Sequence, residues 1–203
     1  KEVVFTTQFG SSGSLYAIRH NGESYDGFPL EIDEKMVVGP AVGDLEGDGL
    51  PDIVIATWDV KKATAKSWET LQNGEPVLDA IEKGCNLEED NAEGLSVGKG
   101  GLPDRDGNVT LDACIMNKEG NCGSVVYLQN VPHAISVARK VMEDTPHVML
   151  AGKGAEQFAY EIGFKKEDLL TDKAKKEWEE WKVESEYKPI INIENHDTIG
   201  MLA

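Results

Sequence analysis

The sequence predicts a mixed α/β (α+β) fold in which a short antiparallel β-meander precedes a longer segment of alternating strands and helices. Three observations predict it. Residues 1 to about 57 hold only short apolar and β-branched runs, separated by turn-forming residues roughly every ten positions. After Trp58 apolar residues recur at helical spacing, as in Val77, Ala80, Ile81 and Cys85. Helical stretches then alternate with further short apolar runs, which is the grammar of an α/β segment.

The elements follow in order. "EVVFTTQF" and "SLYAIRH" read as strands, and Asn21-Gly22 in "HNGES" is a two-residue hairpin signal. "DGFPL" is a second turn, and "VVGPAVGD" and "DIVIAT" are further strands. "VKKATAKSWETLQNG" is a helix that ends at Gly74, a residue suited to the position after a helix. "EPVLDAIEKGCNLEED" is a helix with Pro76 in its first turn. "VTLDACIMN" and "CGSVVYL" are strands, "HAISVARKVMEDT" a helix, "HVMLAG" a strand and "GAEQFAYEIGF" a helix. "TDKAKKEWEEWKVES" is a charged helix capped by Thr171 or Asp172, with a solvated face of mixed sign. "YKPIINIEN" is an extended linker or strand. The pattern changes after Trp58, and the domain boundary is expected nearby, between residues 1–52 and 53–203.

Charge and composition exclude several classes. The 203 residues carry a net charge of −17, a surface that repels nucleic acid and anionic membranes. There is no apolar run long enough for a membrane span. The N-terminus lacks a charged segment followed by a long apolar one, and the absence of an initiating Met suggests that the chain begins downstream of any signal peptide. Cys85, Cys114 and Cys122 have no zinc spacing and no even-numbered disulfide framework. Cys114 and Cys122 lie on apolar segments and are expected in the core. His20, His133 and His147 belong to no cluster with transition-metal spacing.

The stretch "DLEGDGLPD" spaces oxygen side chains at its first, third, fifth and ninth positions, with Gly49 at the sixth. Calcium takes six to eight hard oxygen ligands, and alternating carboxylates on a tight loop supply them. The expected ligands are Asp44, Glu46, Asp48 and Asp52, with the backbone carbonyl of Leu50. Four carboxylates this close repel one another without a cation; the other reading is an acidic hairpin turn without metal. Together, "GSLYAIRHNGESYDGFPL" and "VVGPAVGDLEGDGLPDIVIAT" resemble one blade of an FG-GAP or VCBS-type β-propeller. That resemblance implies a calcium-binding blade in a surface or secreted protein. A single blade cannot close a propeller, so it would be a remnant or an accessory layer.

The chemistry of "NIENHDTIGMLA" is different. A Thr hydroxyl is a weak nucleophile, and one way to activate it is to make it the first residue of a chain, where its own α-amine takes the proton. The Thr198 hydroxyl could attack the Asp197 carbonyl, form an ester and let water complete the cut, with His196 and Asp197 assisting proton transfer. Alone, the triplet is a weak signal and reads as a polar turn before a buried strand, "IGMLA". Four further stretches bear on that choice: "SVGKGGLPDRDGNVTLDACIM", "ISVARKVMEDTPHVMLAG", "GFKKEDLLT" and "YKPIINIENHDTIGM". In this order they closely resemble the glycosylasparaginase family of N-terminal-nucleophile hydrolases, from about Ile53 to Ala203.

The resemblance implies a four-layer αββα sandwich, of which this chain would carry the α-subunit part. It implies that Thr198 is the nucleophile, that Asp197 and His196 precede the autocleavage site, and that Trp58 and Ser96 support the active site. The substrate would be a small glycosyl-asparagine or asparagine-type amide, and no catalytic cofactor is needed. The family's C-terminal β-subunit, which supplies the substrate clamp and oxyanion hole, does not follow Thr198 here, so the chain reads as the N-terminal part of a precursor. Processed αβ units would form a homodimer in an extracytoplasmic compartment. "DIVIATW" is claimed both by the blade and by the enzyme's first core strand, and the enzyme role is the expected one. The alternatives are a calcium-binding adhesion-type module with an inert amidohydrolase segment, or a plain L-asparaginase or isoaspartyl peptidase.

Overall fold

The computed structural model describes residues 3–9, 12–18, 23, 24, 26, 29–32, 41–43, 52–56, 60–184 and 201–202. Within these, the chain forms two compact units: residues 1–84 with 195–203, and residues 85–194.

The first unit opens with an antiparallel meander of β1 (Val3–Phe9), β2 (Ser12–Ile18) and β3 (Leu30–Ile32). The pairings Leu15↔Leu30 and Gly13↔Ile32 are centred between residues 22 and 23, beside the Asn21-Gly22 signal, which itself lies outside the described residues. A second sheet runs β4 (Ala41–Gly43), β5 (Asp52–Ala56) and β9 (Met201–Leu202), all antiparallel neighbours, with β5 in the middle. In "DIVIATW", the segment expected to form the first core strand of the enzyme, residues Asp52–Ala56 form β5. A strand has two hydrogen-bonding edges, and β5 uses one for the hairpin partner β4 and the other for β9, near the chain's end.

Helix α1 (Lys61–Gln72) buries Ala63, Thr64, Ser67, Thr70 and Leu71. Its buried threonines meet their own hydrogen-bonding need on the helix: Thr64 donates to the Val60 carbonyl at 3.3 Å and Thr70 to the Lys66 carbonyl at 2.8 Å. The end is set by Gly74, at φ +74°. The Gly74 N–H bonds the Leu71 carbonyl and the Glu75 N–H the Thr70 carbonyl, the paired closure that a left-handed glycine permits. Helix α2 (Val77–Glu89) begins directly after Pro76, whose carbonyl accepts from Asp79 and Ala80.

The second unit is a three-stranded sheet of β6 (Leu111–Met116), β7 (Cys122–Leu128) and β8 (Met149–Ala151). β6 and β7 are antiparallel; β8 is parallel to β7 and is reached through α3 (Ala134–Asp144), a βαβ crossover. Ala134, Val137, Ala138 and Val141 are buried at helical spacing, and this face of α3 packs on β6 and β7. α4 (Gly152–Glu161) packs on β7 and buries Ala155 and Ala159. α5 (Asp172–Glu184) is largely exposed, as its mixed charges predict, and buries Ala174. Of the two candidate caps, Thr171 does the work: its hydroxyl accepts from the Ala174 N–H at 3.2 Å.

Cys114 and Cys122 are not core residues. Both are exposed, while Cys85 is buried. The apolar character of their strands hid the alternation that decides this. Leu111, Ile115, Val125 and Leu128 are buried. The cross-strand pairs Cys114↔Ser124 and Met116↔Cys122 occupy the other face, where Met116 is 64% exposed. Among the described residues no helix is long and apolar enough to cross a membrane.

Candidate active site

Of the residues expected to carry chemistry, Thr198, Asp197, His196 and Trp58 lie outside the described residues. So do Asp44, Glu46, Asp48 and Leu50; Asp52 is described through its backbone, paired with Gly43 on β5. Ser96 is described and exposed. Among the described residues no group of three or more His, Cys, Asp or Glu side chains is placed to hold a metal.

The described residues nearest after Thr198 lie on β9, and those nearest before Trp58 lie on β5. Met201 follows Thr198 by three residues, and Ala56 precedes Trp58 by two. Ala56 and Met201 are direct partners in the β5–β9 ladder, as are Ile55 and Leu202. Met201 also packs against two core clusters. One contains Val54, Leu71 and Ala80 with Trp68 alongside; the other contains Ala56, Val60 and Ala63. The run after "HDT" is readable in the sequence as a buried strand, but its partner β5 is not.

Ser96 sits in a glycine-rich turn that is fixed by its backbone. The Lys99 N–H donates to the Glu89 carbonyl at 2.7 Å, Gly100 to Leu169 at 2.8 Å, and Leu102 to Leu95 at 3.1 Å. Gly98, at φ +61°, lies so close to Glu89 that an added Cβ would stand 2.2 Å from its carbonyl oxygen. Glu89 has a second task at the end of α2. Its carboxylate Oε1 accepts from the Ile135 N–H at 3.0 Å and so caps α3, whose own N-cap residue His133 contributes no side-chain bond. His133 instead contacts Asp90 through Nε2 at 2.8 Å.

A strained point lies near the end of β7. Leu111↔Leu128 and Ala113↔Val125 are partners, so Asp112 opposes both Val126 and Tyr127 across a bulge. Tyr127 takes φ +57° there, and its N–H donates to the Asp112 carboxylate at 2.7 Å. Nothing in the local sequence announces this conformation, because Tyr rarely adopts it.

Two ionisable groups have altered acidity. Partial burial pushes the Asp104 carboxyl up, but donors from the backbone and side chain of Asn108 and the backbone of Asp106 outweigh it and hold the group below the ordinary aspartate range. Tyr160 is pushed up to about 12, first by burial and then by donating to the Glu156 carboxylate. Glu156 also accepts from Asn130 at 2.8 Å, which fixes the carboxylate in place. A shallow cavity of about 290 Å³, lined by Asn108, Gln129, Asn130 and Asp168 among others, lies in the same unit.

The asparaginase family model matches residues 36–203. The chain belongs to the asparaginase family. Its resemblance reaches further towards the N-terminus than Ile53, and it takes in the acidic loop and the stretch from residue 36 that had suggested a propeller blade. Among curated proteins, this asparaginase-family chain is 57% identical over 152 residues to N(4)-(beta-N-acetylglucosaminyl)-L-asparaginase of Elizabethkingia miricola, covering 74% of this chain and 45% of that protein. The protein of that name from Rattus norvegicus is 38% identical over 181 residues, covering 74% of this chain and 52% of the relative. The Mus musculus protein is 36% identical over 183 residues, covering 74% and 53%. The chain spans about half the length of the curated relatives it matches.

Proposed function

We propose that this chain is the N-terminal part of an N4-(β-N-acetylglucosaminyl)-L-asparaginase-type amidohydrolase that is matured by cleavage between Asp197 and Thr198. The observation that carries this reading is the 57% identity to a protein of that printed name. The Thr198 hydroxyl attacks the Asp197 carbonyl, the peptide C–N bond breaks, and the Asp197 acyl group passes to the Thr198 oxygen as an ester while the α-amine is freed. Water then hydrolyses the ester, leaving a carboxylate on Asp197 and a free hydroxyl on Thr198. In this scheme His196 and the Asp197 side chain assist the proton transfers. The released α-amine becomes the base for the second reaction. There Thr198 attacks the side-chain amide of the substrate, expels the glycosylamine, and yields aspartate after hydrolysis of the β-aspartyl ester.

Trp58 and Ser96 are proposed to shape the substrate site, and the clamp and oxyanion donors to come from the family's β-subunit, which here would have to be supplied beyond this chain. Those groups contribute largely to acyl transfer, so activity of the processed αβ unit requires them. The proposal extends to a homodimer of such units in an extracytoplasmic compartment. The calcium reading of residues 44–52 rests on ligand spacing, and terbium luminescence on Asp48→Asn against the parent protein tests it. A plain L-asparaginase or isoaspartyl peptidase is the alternative, which the printed names of the relatives do not favour.

The test is intact mass of the full-length gene product, with Thr198→Ala as control. Two fragments that part between Asp197 and Thr198, absent from the control, are the expected outcome. An uncut chain in both removes Thr198 as the nucleophile.

A further inference from the structure

We infer that Met201 is a positioning residue for the cleavage proposed above, because it fixes the register of the strand that follows the cut bond. This inference rests on the self-cleavage reading. A two-residue ladder, Ile55↔Leu202 and Ala56↔Met201, is all that joins β9 to β5 among the described residues. So short a ladder specifies register weakly, and in a strand a slip of one residue reverses every side chain. Something other than the backbone bonds has to select one register.

The Met201 side chain supplies that selection. Its sulfur lies 3.1 Å from the Ser67 hydroxyl oxygen. Ser67 is fully buried on α1, and its hydroxyl reaches the Ala80 carbonyl on α2 at 2.8 Å. A hydroxyl has one proton, so the shorter contact to Ala80 takes it and the sulfur rests against the oxygen it leaves oriented. The socket is further closed by Gly84 on α2. A Cβ built there would stand 2.1 Å from the Ser67 oxygen and 3.0 Å from both the Ala63 carbonyl and the Met201 sulfur. A larger residue at Gly84 would therefore fill the space that the methionine tip enters. The same side chain packs against both the Val54, Leu71 and Ala80 cluster and the Ala56, Val60 and Ala63 cluster. Side chains alternate between faces along a strand, so a slip of one residue would take the Met201 side chain out of the socket.

Thr198 lies three residues before this lock, and Trp58 two residues after Met201's partner Ala56. An attack across a peptide bond depends steeply on placement, and a shift of about 1 Å costs up to ~100-fold in rate. Loosening Met201 thus slows the cut without touching a reacting group.

The experiment follows self-cleavage of the full-length gene product by intact mass over time, with melting temperature measured on each variant. Met201→Ala is expected to be folded and to cleave at least ~10-fold more slowly. Met201→Leu, which conserves volume, is expected to stay within about threefold of the parent. Leu71→Ala, in a cluster that Met201 touches, is expected to lower the melting temperature comparably and leave the rate near that of the parent. Should Met201→Ala melt below the assay temperature, Met201→Val gives the same comparison. Cleavage of the Met201 variants at the parent rate overturns the inference, and so does an equal slowing in Leu71→Ala. An uncut parent overturns the self-cleavage reading itself, and this inference with it.

Discussion

A glycine with nowhere to put a Cβ is a different residue from a glycine in open space, even when both have positive φ. Gly98 combines φ +61° with backbone atoms of Glu89 closer than 2.7 Å to any added Cβ, whereas Gly120, at φ +82°, has nothing within 4 Å. Gly98→Ala therefore costs conformational strain and a displaced Glu89, about 3 kcal/mol or more, while Gly120→Ala costs about 1 kcal/mol from backbone conformation alone. Urea unfolding of the two variants checks the contrast. Tyr160 makes a second prediction at this scale. Its folded pKa of about 12 lies above the unfolded value near 10, so the folded protein holds that proton longer. Its contribution is fully present below about pH 10 and is lost as pH rises through about 12. Tyr160→Phe is expected to flatten that part of the alkaline stability profile, read by melting temperature against pH. The sequence made Gly98 legible as a tight-loop residue through "SVGKGG"; the Tyr160–Glu156–Asn130 bonds join residues whose pairing no local pattern reveals.

At the scale of elements, the helices were readable because their signals are local. Thr171 as a cap, Gly74 as a terminator and the Ala134–Val141 stripe each depend on residues within a few positions. The β6–β7 pair was legible as two strands, but not in its faces. A strand's apolar content says that it packs; which alternate residues pack depends on where α3 lies. Cys114 and Cys122 therefore went to the open face. The consequence is measurable: under native conditions two of the three thiols are expected to react rapidly with a disulfide reagent and the third, Cys85, only on unfolding. Cys114→Ser should remove one fast equivalent and leave the slow one unchanged. One fast thiol would contradict this sheet orientation, and three would contradict the burial of Cys85.

At the scale of the whole molecule, what the sequence carried was the order of elements and the family. What it did not carry was closure. β9 pairs with β5 across a separation of roughly 145 residues. Neither segment's composition points to the other, since "DIVIA" would pair as readily with any extended partner. The residues expected to act are likewise far apart in sequence, with Trp58 early, Ser96 midway and Thr198 near the end. Family resemblance named these residues; their local patterns alone did not.

The middle position of β5 bears finally on how the chain avoids clumping. "DIVIA" is short, apolar, β-branched and free of proline, the kind of segment that recruits copies of itself when an edge is open. β4 pairs with Asp52, Ile53 and Val54 and β9 with Ile55 and Ala56, so every residue of the segment has a partner strand. β9, anchored by its Met201 side chain, is thus expected to guard this segment against self-association. A chain shortened to end at residue 200 is expected to bind thioflavin T and form aggregates on mild warming, where the 203-residue chain stays clear.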